Sequence, residues 1–353
     1  MAMNASPTPI PPWSPERLAA RLPFLRRRAR LTAETRAFFT ARGYLEIETP
    51  SLTPAPGMEV HLAVFRTRFE PILAGEGRDL WLRTSPELAI KRLLAGGVGP
   101  CFELARVWRN GEVSPRHSPE FTMLEWYVPG MSFDGLMDET EAFCRAVLPP
   151  RVAHEGVETD VSLPFERLTM AEAFFRFADG LDILATVRAD GEGDTAALAT
   201  AAAAIGAPAQ AGEEWEDIFF RLLLDRVEPR LGRDRATFLT HWPAPQAALA
   251  RRDPADPRAA LRFELFVAGI ELANAFDELT NAAEQRARFI RDVEERKRRY
   301  DNAWPVDEDF LAAIDHGLPS TAGIALGFDR LAMLASGAPS VEQVLWLPVS
   351  LPE

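Results

Sequence analysis

Lysine is almost absent from this chain of 353 residues: Lys91 and Lys297 are the two, and arginine supplies the other basic groups. Basic charge is in deficit as a whole, with 39 basic against 52 acidic residues and a net charge of −13. Proteins that grip a nucleic-acid backbone do so by neutralising phosphates. The balance therefore argues against that as the main task, while leaving room for a local basic patch. Cysteine is scarce too. Cys101 and Cys144 cannot build a disulfide framework, and each sits in an apolar run, as reduced buried thiols do. No stretch reaches the roughly 18 consecutive apolar residues that a membrane span needs. Met1–Trp13 has neither the basic head nor the apolar run of a signal peptide. The expected location is the cytoplasm, with no membrane contact. At 47% hydrophobic and 26% charged, the composition is that of an ordinary globular protein.

Several familiar motifs are missing as well. There is no Walker-type phosphate loop, no complete Gly-x-Gly-x-x-Gly after a strand and no Gly-x-Ser-x-Gly elbow. The five histidines, His61, His117, His154, His241 and His316, are scattered, none at zinc-ligand spacing. Any nucleotide must be held another way. No internal repeat is present.

Residues 1–15 are proline-rich and read as a flexible arm ahead of 16–353. A helical pattern from Glu16 to Arg42 is expected to break at Pro23. "YLEIETP" alternates like a strand, as do Ala63–Arg68 and Leu80–Arg83. Thr84-Ser85-Pro86-Glu87 opens a helix that stops at Gly96-Gly97. Cys101–Trp108 and Thr122–Tyr127 read as strands around a polar loop. Residues 149–257, with an alanine-rich tract from Ala196 to Ala209, read as a mostly helical insertion. Arg262–Phe276 is a hairpin turning at Ala268-Gly269. Glu284–Tyr300 is a charged helix, and Gly323–Phe328 a strand leading into a helix from Asp329.

Three regions carry chemistry. The loop after Trp108 presents Arg109, Glu112, Arg116 and His117, groups suited to phosphate and carboxylate oxygens. By polarity alone it is an ordinary solvated loop. The strand behind it is less ordinary, because Glu120 and Glu125 interrupt an apolar run and buried carboxylates need a cation. In the hairpin, pairing Val267 with Ile270 puts Phe266 opposite Glu271 and Glu264 opposite Ala273. Glu264 and Glu271 then lie on one face, as a magnesium or ammonium site requires, or stand as edge carboxylates in water. Simple alternation sends Asn274 and Phe276 to the other face, so a site using all four needs a bulge. Finally, Gly323, Ala325 and Gly327 leave one strand face almost bare. That face admits a flat ligand or a closely packed backbone. Arg330 near the following helix N-terminus is locally unfavourable unless an anion docks there. Phosphate groups, magnesium and an amine together suggest ATP acting on an amino compound.

These segments resemble a class II aminoacyl-tRNA synthetase core of the lysyl type. "FFTARGYLEIETPSL", "RNGE…RHSPEFTMLEWY" and "GIALGFDRL" resemble its three motifs, and "TSPELAIKRLLAGG" and "GIELANAFDELT…EQ" its lysine-binding segments. The resemblance implies an α+β fold, an antiparallel sheet flanked by helices. The first motif begins within about 35 residues of Met1, too few for a separate small domain, so no N-terminal anticodon-binding β-barrel is expected. "GVGP", "HWPAPQAALA" and Ala325 resemble the truncated lysyl-type paralogues that attach β-lysine to a lysine of elongation factor P.

The resemblance implies a residue-by-residue assignment. Arg109 and Arg330 are catalytic, Arg109 bridging substrate carboxylate and α-phosphate, Arg330 holding the γ-phosphate. Glu112, Arg116 and His117 hold the triphosphate and adenine, Phe121 stacks on adenine, and Glu264 and Glu271 bind Mg2+. Ser85, Glu87, Glu125, Tyr127, Asn274, Ala325 and Glu278 line the pocket for β-lysine or lysine. A homodimer with elongation factor P as acceptor, and no stable tRNA or DNA binding, is implied too. The alternatives are a tRNA-charging enzyme and a catalytically silent synthetase-like protein. Three departures stand out: Gly111 follows Asn110 where the family has Glu, Ala275 replaces a glycine and is expected to tighten a turn, and Asp277 is atypical.

Overall fold

The computed structural model describes residues 11–57, 59–72 and 75–349. Helix α1 (Pro15–Thr40) starts where the Ser14 hydroxyl accepts the Arg17 N–H, with Pro15 in its first turn. The expected arm over 1–15 is thus corrected at its end: residues 1–10 lie outside the described residues, and 14–15 belong to the helix start. The expected break at Pro23 is also absent. A helical proline forfeits one backbone hydrogen bond, but anchors on both sides carry the helix through. Arg21 donates to the carbonyls of Leu345 and Trp346, and Leu25, Leu31, Phe38 and Phe39 bury one face. Gly43, at φ +82°, turns the chain after the helix.

The strand read in "YLEIETP" shrinks to β1 (Leu45–Glu46). Next, β2 (Leu52–Thr53), β3 (Arg66–Phe69) and β4 (Arg78–Leu82) make a small antiparallel sheet ordered β2-β4-β3. Then come α2 (Glu87–Ala95), β5 (Cys101–Trp108), β6 (Glu120–Pro129) and α3 (Phe133–Val147). The segment read as a helical insertion holds the hairpin β7 (Arg151–His154) and β8 (Val157–Asp160), then β9 (Glu166–Thr169), α4 (Met170–Phe177), α5 (Thr195–Ala204), α6 (Trp215–Leu222) and β10 (Thr237–Pro243). The chain closes with β11 (Ala259–Val267), β12 (Ile270–Asp277), α7 (Ala282–Tyr300), α8 (Glu308–Gly317), β13 (Thr321–Gly327) and α9 (Phe328–Ser336).

The main sheet has eight strands, ordered β1-β5-β6-β13-β12-β11-β10-β9. Its six central strands are antiparallel, as expected, but each edge adds a parallel partner, β1 on β5 and β9 on β10. The sheet is therefore mixed. Two of its strands, β9 and β10, come from the segment read as helical. That segment has its own core, in which Trp215 stacks on Phe219 at 5.0 Å between centroids and Phe174 on Phe219 at 5.6 Å. The core includes Leu239, Trp242 and Phe266 of the sheet, so the segment is welded to the sheet edge.

One face of the main sheet is apolar. Phe102, Leu124, Trp126, Phe263, Leu265, Ile324 and Leu326 pack there with residues of α1, α3 and α9. Burial at about 25 cal/mol per Å² of apolar surface makes this packing the chief stabiliser of the fold. Because strand side chains alternate, the residues between them face the other way. Those residues form the floor of the site.

Candidate active site

The hairpin of β11 and β12 shows how the floor is set. Val267 pairs with Ile270 and Phe266 with Glu271, as the sequence predicts, and Ala268 and Gly269 turn at φ 52° and 71°. Beyond that, the simple register fails. Leu265 pairs with Ala273 and Glu264 with Asn274, because Leu272 is an extra residue. The bulge brings Glu271, Asn274 and Phe276 onto the face of Arg262 and Glu264, and all five line one cleft. Asn274 is level with Ala325 of β13, and Ala325 with Glu125 of β6; Phe276, Gly323 and Tyr127 form the next row.

The cleft has a volume of about 650 Å³. It brings together Ser85, Glu87, Arg109, Glu112, Arg116, His117, Phe121, Tyr127, Glu264, Glu271, Asn274, Ala325 and Arg330. Glu125 and Glu278 lie just behind its wall, at 0% and 1% exposure.

One end is cationic. The Arg109 guanidinium lies 5.3 Å from the Phe121 ring centroid, and its Nε is buried without a partner. Arg330 donates to the Glu271 carbonyl at 2.7 Å and its Nη2 stands 2.6 Å from His117 Nε2. Burial, then the charge of Arg330, lowers the His117 pKa. Arg330 does not need an anion at the helix terminus to be tolerated, because Asp329 occupies that first turn. Asp329 accepts the Thr122 N–H at 3.1 Å and pairs with Arg28 of α1 at 2.5 Å. Gly111 takes φ +84°, a conformation that suits glycine, and the loop still brings Glu112 to the cleft beside His117.

Burial, and then the negative charge of Glu271, push Glu264 up to about 8 against the pull of Arg262. Arg262 donates to Glu264 at 2.7 Å and to Asn274 at 3.1 Å, and stacks on Trp242 at 3.9 Å. Among the described residues no three His, Cys, Asp or Glu side chains form a metal site. Magnesium is ordinarily held by one or two carboxylates together with substrate phosphates and waters, so the Glu264–Glu271 pair fits a metal that arrives with a nucleotide.

The other end is acidic. Glu125 accepts from Ser85 Oγ at 2.5 Å and from the Tyr127 hydroxyl at 2.8 Å. Burial, and then the charge of Glu87, push it up to about 8. Lys91 is sandwiched between Glu87 and Glu278 at 2% exposure. Burial works against its ammonium, but Glu278 and then Glu87 outweigh it and hold the pKa above the ordinary value. Lys91 is assigned no role in the site from the sequence. Its signal was its place four residues after Glu87, in a chain with one other lysine. Arg262 was missed too, though it sits two residues before Glu264 on the same strand face.

The bare face of β13 has two outcomes. A Cβ at Gly323 would run into the Tyr127 ring and the Glu278 carboxylate, so close packing explains that glycine. At Gly327 it would meet only Arg330, at 3.5 Å, which is ordinary contact. Ala275 lies mid-strand with its side chain in the core, paired with Phe263 and Ile324, so it tightens no turn. Asp277 is held by Arg251 through two bonds of 2.6 and 2.7 Å, a reason for that atypical residue.

The family described as tRNA synthetases class II (D, K and N) matches residues 18–350. A protein of Klebsiella pneumoniae (strain 342) named elongation factor P–(R)-β-lysine ligase is 43% identical over 335 residues, covering 94% of this chain and 96% of that protein. Proteins of the same name from Yersinia enterocolitica and Salmonella typhi are each 42% identical, covering 96% and 94% of this chain and 97% and 96% of theirs. With its second and third motif segments lining one cleft and residues 18–350 matched, the chain belongs to the class II tRNA synthetase family of the D, K and N type.

Proposed function

We propose that this protein uses ATP to activate (R)-β-lysine, or lysine, as an acyl-adenylate and transfers it to a lysine side chain of elongation factor P. The name carried by its relatives supports the acceptor. The observation that carries the reading is the acidic end of the cleft. Glu87, Glu125 and Glu278 have one internal cation, Lys91, between them. Buried carboxylates in excess of their cations call for another, and the distal ammonium of a lysine-like substrate supplies it.

In the first step a substrate carboxylate oxygen attacks the α-phosphorus and pyrophosphate leaves. Arg109 bridges carboxylate and α-phosphate, Glu112, Arg116 and His117 hold the triphosphate and adenine, Phe121 stacks on adenine, and Arg330 holds the γ-phosphate. Preorganised donors of this kind stabilise the charge that develops on the transferring group. Mg2+ held by Glu264 and Glu271 would neutralise phosphate charge. Ser85, Glu87, Glu125, Tyr127, Asn274 and Ala325 shape the amino-acid pocket, with Glu278 behind them. In the second step the acceptor ε-amine attacks the acyl carbon, its C–N bond forms, AMP leaves and the amine gives up a proton. The protein acts as a cytoplasmic homodimer without stable tRNA or DNA binding. The net charge of −13 supports the last point, and exposed Leu45 and Leu52 within the first motif support the dimer.

ATP–pyrophosphate exchange over α-lysine, (R)-β-lysine and other amino acids, then transfer to purified elongation factor P or to tRNA, tests the reading. Exchange with a lysine isomer and labelled elongation factor P are expected. Labelled tRNA in its place favours the synthetase, and no exchange at all favours a silent protein.

A further inference from the structure

The cleft opens into a side chamber of about 200 Å³. Glu59, Ser85, Glu87, Leu249 and Asp292 line both spaces, so the two are continuous. Much of the chamber wall is apolar, from Pro50, Leu52, Leu88 and Phe289. At the junction stand two carboxylates that the activation step does not use, Glu59 and Asp292.

Of the arginines around them, Arg109 acts on Glu59 through its charge and belongs to the activation step, where it bridges carboxylate and α-phosphate. The others are committed elsewhere. Arg288 donates to the carbonyls of Ala248 and Ala250, each at 2.7 Å, and to Glu284 at 2.6 Å. Arg291 pairs with Glu192, and Arg296 donates to the carbonyls of Val60 and Leu62. Among the described residues neither carboxylate has an ion-pair partner. Burial pushes half-buried Asp292 up to about 7; Arg291 opposes this and Glu59 adds to it.

A second observation points to a polar ligand here. Thr84 is 1% exposed, lines the chamber, and its Oγ1 has no hydrogen-bond partner. A Cβ at Gly57 would lie 2.8 Å from that oxygen and would also strike the Glu59 carboxylate. The hydroxyl and Glu59 therefore share the inner side of one turn. A buried polar atom without a partner needs an explanation.

A primary ammonium on an alkyl stem satisfies all of this. It offers three donors and a positive charge to two carboxylates and a hydroxyl, and methylenes to the apolar wall. The activated amino acid carries two amines. Its distal ammonium is already served by Glu87, Glu125 and Glu278, and its proximal amine stands beside the carboxylate under attack, not at the end of an alkyl stem. The remaining ammonium on an alkyl stem is the side chain of the acceptor lysine. We propose that Glu59, Asp292 and Thr84 form the site that receives the acceptor's lysine ammonium, separate from the pocket for the activated amino acid. The inference rests on the reading that the acyl group goes to a lysine.

Full-length D292N, E59Q and T84V are compared with the wild type in two assays: ATP–pyrophosphate exchange with (R)-β-lysine, and transfer from preformed adenylate to elongation factor P. Exchange should keep its kcat and KM within about twofold, which also reports correct folding. The KM for elongation factor P should rise about tenfold in D292N, as for a lost charge-assisted hydrogen bond. E59Q should rise similarly and T84V less. An unchanged acceptor KM, with exchange intact, overturns this inference alone. A parallel rise in the KM for (R)-β-lysine also overturns it, because the groups then serve the small substrate. Absence of exchange in the wild type overturns the proposed function and takes this inference with it.

Discussion

Arg330 Nη2 lies 2.6 Å from His117 Nε2. A guanidinium only donates, so Nε2 accepts and the ring proton sits on Nδ1, directed at Ser114 Oγ 2.7 Å away. Arg330 thereby fixes the tautomer of its neighbour. Burial and Arg330 lower the His117 pKa below its ordinary 6.5. The neutral ring is the form the fold favours. Its stabilising contribution is complete above pH 6.5 and is lost as pH falls through the folded value. Nitrogen-15 spectra of the imidazole should show the Nδ1–H tautomer at pH 7 and titration below 6.5. A midpoint above 6.5 contradicts the geometry.

Glu125 runs the opposite way. Burial and Glu87 raise it to about 8. A carboxyl with a raised folded pKa stabilises most below its unfolded value of 4.5, and that contribution drains away as pH climbs toward 8. The ligand-free protein should lose thermal stability over this window. Lysine or β-lysine should restore more at pH 8 than at pH 5, and Glu125→Gln should flatten the dependence. Thermal melts across pH, with and without the amino acid, decide the matter.

Lys91→Met should do more harm than any surface lysine change. It leaves Glu87 and Glu278 without the ammonium that both contact. Breaking one side of a buried ion pair costs about 3–5 kcal/mol. Denaturant unfolding should show a loss of that order. The double variant Lys91→Met with Glu278→Gln should recover part of it; equal losses in both variants would refute a direct pairing.

Arg28 and Asp329 pair at 2.5 Å with side chains 7% and 5% exposed, and Arg28 also donates to Thr122 Oγ1 at 2.9 Å. The pair ties α1 to the residue that precedes Arg330. Asp329→Ala should destabilise by about 3–5 kcal/mol and weaken ATP binding by loosening Arg330. Urea unfolding and the KM for ATP in pyrophosphate exchange measure the two effects; a stability loss with an unchanged KM would mean that Arg330 is held without Asp329.

The tight turn at Ala268-Gly269 and the need for a bulge were legible because both follow from local rules, turn chemistry and side-chain alternation. The location of that bulge, at Leu272, was not, since it depends on how β12 meets β13 as well as β11. The residues converging on the cleft were legible through their resemblance to known motifs. Arg28 was not: in sequence it is one of three adjacent arginines, and its burial is set by Asp329 near the far end of the chain. The Arg296–Arg299 run likewise looks like a basic patch, yet Arg298 and Arg299 pair with Glu214 and Asp217 at the start of α6. Pro23 misled because local propensity yields to anchors on both sides. Strands β9 and β10 were hidden by the helices around them. "TFLTHW" carried a β signal, but its pairing with Glu166–Thr169 spans the whole helical segment.

Leu272 gives β12 a change of parity. The hairpin counts its residues in twos from the turn as far as Glu271, then resumes the count one step out of phase. Removing that single leucine would let the strand alternate without interruption, and Asn274 and Phe276 would keep the cleft face they share with Glu271. Flattening the bulge with the leucine retained would do the opposite: Asn274 and Phe276 would turn into the hydrocarbon packing, and Ala273 and Ala275 would face the cleft. The bulge is thus a reserve of one residue. Loss of Leu272 uses up that reserve and leaves the floor intact, whereas a further inserted residue would need a second bulge to keep it.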